Sequence, residues 1–294
     1  MHVSKHLFRL RDLGYAGIWR ILRNAHSRAT PEAAQEGMNG VSVPFLFAEH
    51  APWERLALTL SIRGMGGNEV YFGPGEWPGT ACAPQNFVFD QCGPLCVLNG
   101  LNVSALDALA ASVGSSLVNA GGPDAHPCRL LADMALMLER QQDLSATRIA
   151  WVGGANGLAH SLLEAAMYIP YELFMALPEW GEPNRDLLSL VFAAGAKVFL
   201  TRDSHMAVDG AHYVYAGSAP RHTDDSALRA GMLIDGALME MAHPEARLLL
   251  GQETGCRVQD EVLAAHVALE HERFAMHFQT QRLIWDWLLH EDDA

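Results

Sequence analysis

The stretch Gly122–Gln141, GPDAHPCRLLADMALMLERQ, gathers the residue types best able to do chemistry. A Gly-Pro-Asp turn runs into His126-Pro127-Cys128-Arg129, and a helical apolar pattern begins at once. An imidazole at such a corner can polarise a carbonyl, join a thiol around a metal, or merely open the helix. Proline suits the first helical turn, where its missing N–H leaves nothing unpaired. Metal binding by His126 and Cys128 needs further ligands, and none is apparent in the sequence, so no metal site is expected. Gly153-Gly154 lacks the rest of a GxGxxG loop, and no acidic residue ends a following strand, so no nucleotide cofactor is expected either. His266, His271 and His277, at spacings of five and six, do not all share one helical face and read as surface residues. Met134, Met137, Trp285 and Trp287 read as core or subunit contact.

Charge narrows the ligand class. The net charge of −14 argues against nucleic-acid and anionic-membrane partners, since phosphate backbones need clustered cations. Lys5 and Lys197 are the two lysines, and no Lys or Arg occurs between Arg63 and Arg129. A polyanion held by that segment must rely on backbone amides or imidazole. The five cysteines, Cys82, Cys92, Cys96, Cys128 and Cys256, form no CxxC pair and are odd in number, which points to free thiols in a reducing cytoplasm. No apolar run approaches the ~18 residues a membrane span requires, and the polar N-terminus does not read as a secretion signal.

The elements that must position these residues alternate. Residues 6–27 read as an amphipathic helix, VPFLFA as a buried strand, PWERLALTLSIRGMG as a helix closed by glycine and NEVYFG as a strand. Residues 74–94 read as a Pro/Gly-rich loop, followed by strand LCVLNG, helix SALDALAASV and strand SSLVNAG. After the Pro127 helix come strand ATRIAWVGG, helix GLAHSLLEAAMYI, strand YELFMAL, helix LLSLVFAAG and strands KVFLTR, AHYVYAG and ARLLLG. The last thirty or so residues read as one or two long helices. Such alternation predicts two α/β halves with parallel sheets and ligands at the carboxyl ends of strands.

Element order and motifs together resemble the transcarbamylases, the aspartate and ornithine carbamoyltransferase family, over nearly the whole chain. LVNAGGPDAHPCRLLADMALMLE matches the family's Asn-Gly-x(5)-His-Pro-x-Gln-x-Leu-x-Asp stretch. IAWVGGANGLAHSLLEAA is similar to its Gly-Asp-x-Asn-Asn-x-x-x-Ser turn, and VQDEVL matches near the C-terminus. The resemblance implies two doubly wound parallel-sheet domains joined by a helix, with the C-terminal helices packing back on the first domain. It divides the chain into a carbamoyl-phosphate-type domain, 1–134 joined by 265–294, and an amino-acid-binding-type domain, 135–264. It also implies a homotrimer with active sites at subunit interfaces, and a His126 that polarises the carbamoyl carbonyl.

The departures bear on function. The family's Ser-Thr-Arg-Thr-Arg phosphate loop falls on Ala51-Pro52-Trp53-Glu54-Arg55, so both hydroxyls at its start and its first arginine are lost and a carboxylate, Glu54, enters. The arginine after the next strand falls on Asn99, the Gln of His-Pro-x-Gln on Arg129, and the last-helix arginine on Ala275. The loop that supplies a neighbouring-subunit lysine in aspartate enzymes falls within 73–91, which has no cation. The Asp-x-x-x-Ser-Met-Gly loop aligns with Gly217 to Thr223, and the His-Cys-Leu-Pro loop falls near residues 248–254 without Cys or Pro. Losing about three charge-assisted contacts costs ~4–9 kcal/mol, or ~10³–10⁶-fold in affinity. The expectation is therefore a family protein with an altered donor and acceptor site that acts on an amino-acid-like small molecule. Trp53, Glu54, Asn99, His126 and Arg129 would line one pocket, with Glu54 receiving a cationic group and Arg129 a carboxylate. Arg55 would compensate in part, Asn156 would hold the α-groups, and Arg221 would meet an acidic group. The alternative is a catalytically inactive relative that binds a small ligand or assembles with an active homologue. There, Glu54 and Arg129 simply pair across an empty site.

Overall fold

In a computed structural model, residues 5–25, 37–76, 87–219, 232–251 and 257–289 are described. The chain divides into two compact units, Met1–Glu139 with Phe274–Ala294, and Arg140–Arg273. It passes from one to the other within a helix, Pro127–Gln141, and again within a single C-terminal helix, Asp260–Leu289.

In the first unit, β1 (Ser42–Phe47), β2 (Asn68–Phe72), β3 (Leu95–Asn99) and β4 (Ser116–Asn119) form a wholly parallel sheet in the order β2-β1-β3-β4. The two central strands, β1 and β3, are near-continuous apolar runs, as expected of parallel strands buried along their length. Between them the chain reverses its direction of winding, which opens a crevice at their carboxyl ends. Three elements lead out of that edge: α2 (Pro52–Arg63) after β1, the Gly100 turn after β3, and the loop from β4 to α5 (Pro127–Gln141). The C-terminal helix is anchored in this unit by Trp285, fully buried, whose Nε1 donates to Ser61 Oγ at 2.9 Å.

The chain does not open on a helix from residue 6. Leu7 instead pairs beside β4, exchanging backbone hydrogen bonds with Leu117 and Asn119, and a 3-10 turn, Leu10–Leu13, precedes α1 (Gly14–Asn24). The Asp12 carboxylate accepts from the Phe8 and Arg9 amides, which fixes that turn and delays the helix. Within the stretch read as a loop, Phe87–Cys92 forms a short helix, α3. Its Asp90 accepts from the Gly114 and Ser115 amides and ties it to the start of β4.

In the second unit, β5 (Arg148–Val152), β6 (Glu172–Ala176), β7 (Val198–Thr201), β8 (Tyr213–Ala216) and β9 (Arg247–Leu250) are again all parallel, in the order β7-β6-β5-β8-β9. The winding reverses between β5 and β8. There Gly154 and Ser218 exchange backbone hydrogen bonds of 2.8 and 3.1 Å, and Trp151 Nε1 donates to the Gly153 and Gly154 carbonyls. Glycine is required at this turn: Gly153 sits at φ +124°, and a Cβ on Gly217 would lie 2.5 Å from the Trp151 indole nitrogen.

Candidate functional site

Glu54, His126, Arg129 and His277 converge within the first unit. Glu54 lies in the first turn of α2, which begins at Pro52 and has no side-chain cap from Ala51. An anion in that position is favoured by the unpaired amides of the helix start. Ala57, Leu58, Ser61 and Ile62 hold α2 on the core and aim Glu54 inward, leaving it only 4% exposed. His126 and Arg129 come from the start of α5, and the Leu130 amide donates to the His126 carbonyl. Gly121 packs so closely on the imidazole that a Cβ there would stand 2.7 Å from Nε2, and its φ of +124° suits glycine.

Glu54 Oε1 accepts from Arg129 Nη1 at 3.3 Å and lies 3.4 Å from His126 Nε2, while Oε2 lies 3.4 Å from His277 Nε2. The His277 contact is close enough for electrostatic attraction but lacks hydrogen-bond alignment. Burial alone would push the Glu54 carboxyl up; His277, His126 and Arg129 outweigh it and hold the group well below the usual carboxylate range. Burial is also the main influence on His277, lowering it to about 4 against the attraction of Glu54 and Asp133. At neutral pH the corner therefore holds a glutamate countered by an arginine, with His277 uncharged.

The remaining residues expected at the site are spread out. Trp53 points to solvent, 60% exposed, with its ring edge-on to Phe274. Arg55 stacks its guanidinium 3.5 Å over the Tyr71 ring, which makes it a packing residue of the α2–β2 face. Asn99 is buried at the end of β3, and its amide nitrogen donates to the Ala120 carbonyl at 3.1 Å. Asn156, in the second unit, caps α6 (Gly157–Ala165): its Oδ1 accepts from the Leu158 and Ala159 amides, and its Nδ2 donates to the Gly251 carbonyl. Arg221 lies outside the described residues.

His277 is the member that sequence reasoning misses, because steps of five and six place it with surface residues. His271 is exposed and His266 half-buried, but His277 is 6% exposed. Eleven residues span about three helical turns, so His266 and His277 lie on nearly the same face and His271 on another. The signal lay there, in the eleven-residue interval rather than in the steps of five and six. Among the described residues no cluster of three or more potential metal ligands occurs, and no helix is long and apolar enough to cross a membrane.

No family model matches the chain. Individual proteins match along its full length. It is 35% identical over 300 residues to the ornithine carbamoyltransferase of Nitratidesulfovibrio vulgaris strain Hildenborough, covering 98% of this chain and 100% of that one. It is 32% identical over 298 residues to the ornithine carbamoyltransferase of Oleidesulfovibrio alaskensis, covering 98% and 99%. The crystal structure of the Thermus thermophilus ornithine carbamoyltransferase superposes with a TM-score of 0.85 at 23% identity, covering 98% of this chain and all of that one. The Pyrococcus furiosus ornithine carbamoyltransferase gives 0.86 at 18%, covering 98% and 97%. The parallel sheets, the His-Pro helix start and likeness at this level over the whole length lead to one conclusion: the chain belongs to the transcarbamylase family.

Proposed function

We propose that this chain is a carbamoyltransferase-family protein with an altered donor site, which acts on a neutral or zwitterionic amino-acid-like molecule and does not take carbamoyl phosphate in the ordinary way. One observation carries the reading: the Glu54 carboxylate is buried against Arg129, His126 and His277. A dianion entering there meets a resident negative charge and a guanidinium already engaged, which repels it and withholds its counter-charge. The names of the full-length relatives make ornithine the first acceptor to try. In this reading His126 polarises the substrate carbonyl, Arg129 orients the substrate, and Glu54 acts through both as a positioning residue. Asn156, committed to backbone groups, supports its loop rather than the ligand. The protein assembles as a homotrimer in the cytoplasm.

The test is calorimetric titration with carbamoyl phosphate, with inorganic phosphate as control, near neutral pH and low salt. No heat of binding up to millimolar concentration is expected. Low-micromolar binding would sink the proposal.

The pairing of Arg129 with Glu54 also favours a second reading, a non-catalytic relative that senses a small ligand or assembles with an active homologue. A panel of basic, acidic and neutral amino acids separates the two. Saturable binding with turnover of a carbamoyl compound supports the enzyme, and binding without turnover the sensor.

A further inference from the structure

A carboxylate rarely enters an apolar interior without a full set of partners, because desolvation costs several kcal/mol per ion. Glu54 has three such neighbours, drawn from two pieces of chain, although its Oε2 makes no hydrogen bond of normal geometry. Arg129 Nη1 comes from α5, His126 Nε2 from the turn before it and His277 Nε2 from the C-terminal helix, all within 3.3–3.4 Å of the two carboxylate oxygens. The first-turn amides of α2 add the positive end of a twelve-residue helix. One turn beyond His277, the fully buried Gln281 lies against the Cys128 thiol, and neither of its amide atoms has a hydrogen bond of normal geometry. The seam thus holds more polar capacity than Glu54 alone satisfies.

Guanidinium, imidazole and helix-start amides are the groups that recognise free oxyanions. We infer that the first unit contains an oxyanion-binding site occupied by a tethered ligand, the side chain of Glu54, which emptying position 54 would open to a small free carboxylate or to inorganic phosphate. His277 is an integral part of this site. The inference rests on the proposed reading of the donor site, because a corner already filled by its own carboxylate is what turns carbamoyl phosphate away. It goes further in stating that the grip itself is intact.

Replacing Glu54 by alanine removes a CH2–COO⁻ group, the size of acetate. The Glu54→Ala variant is melted in 0–100 mM acetate at constant ionic strength, with chloride as the balancing anion. For a site with a dissociation constant of about 1 mM the melting temperature is expected to rise by about 5–11 °C, and the wild type by less than about 1 °C. Formate, acetate, propionate and phosphate then grade the size of the opening. Adding His277→Ala or Arg129→Met to Glu54→Ala is expected to weaken the acetate response at least about tenfold.

If Glu54→Ala does not fold in plain buffer, the yield of refolded protein against acetate concentration replaces the melt. Recovery by acetate supports the site, and no recovery overturns it. No anion-specific stabilisation of a folded Glu54→Ala variant also overturns the inference, while leaving the proposed function standing if the wild type still ignores carbamoyl phosphate. Wild-type binding of carbamoyl phosphate would instead refute the proposed function by itself.

Discussion

Removing Arg129 tests whether the corner is an energetic unit. In Arg129→Met the stem volume is roughly kept, but Glu54 loses the one partner that is charged at every accessible pH. Breaking a buried ion pair from one side costs about 3–5 kcal/mol, because the abandoned charge stays buried. Two imidazoles remain within 3.4 Å, so the lower end, about 3 kcal/mol, is expected here. For a domain of this size that lowers the melting temperature by about 6–12 °C. Glu54→Leu leaves Arg129 without its carboxylate and is also destabilising. The double variant carries neither charge and is expected to be more stable than either single one, with a coupling of at least about 2 kcal/mol. Scanning calorimetry of all four proteins at pH 7.5 supplies the cycle. Arg129 is also among the influences that hold His277 low, so its removal lets the imidazole take a proton more readily. The Arg129→Met deficit should therefore shrink at pH 5.5. Additivity within about 0.5 kcal/mol, or a deficit independent of pH, would refute the reasoning.

Two further outcomes follow from the same contacts. His277 has its pKa lowered from 6.5 to about 4 by burial, and facing it are Glu54 and Asp133, which raise it, and His126 and Arg129, which lower it. Between those values the unfolded chain binds the proton and the folded one does not. Stability is therefore full above pH 6.5 and falls as pH drops to 4, by up to about 3 kcal/mol from this residue. His6, His212 and His266 are lowered mainly by burial and act in the same direction; His277→Gln should visibly flatten the profile in denaturant titrations at pH 7 and 5. Asn156→Ala loses two cap bonds and the bond to Gly251, a cost of about 1–2 kcal/mol. That loss should appear in the melting temperature while the affinity of any amino-acid-like ligand stays unchanged; a large affinity loss at constant stability would restore Asn156 as a ligand residue.

The alternation of strands and helices was legible because many of the strands are short apolar runs closed by glycine. β3, β5 and β8 have that form, ending at Gly100, Gly153 and Gly217. The two shortest α-helices among the described residues escaped, although their caps were in plain view: Asp203 accepts from the His205 amide and Asp235 from the Leu238 amide. Five-residue helices, Ser204–Val208 and Gly236–Glu240, are too short for a 3.6-residue period to register. The opening segment failed for a different reason. Its apolar spacing is helical from residue 6, but pairing of Leu7 beside β4 is a long-range gain that no local pattern reports.

The site was legible in its charges and not in its closure. A Glu at position 54 and an Arg at 129 could be recognised as complementary on the page, yet whether they face a ligand or each other depends on how deeply α2 is set. The burial of Glu54 answers that. A half-exposed glutamate could turn away from its guanidinium toward solvent; one that is 4% exposed, within 3.4 Å of Arg129 and of two imidazoles, is held facing them. Without Arg129, Glu54 would be a buried charge left with two imidazoles, whereas His277, uncharged at neutral pH, can be buried at far smaller cost. The arginine and the glutamate are therefore the strongly coupled pair of the corner, and the imidazole is its neutral member. A buried neutral imidazole leaves no charge signature, which is why this third partner was not legible in the sequence while the two charges were.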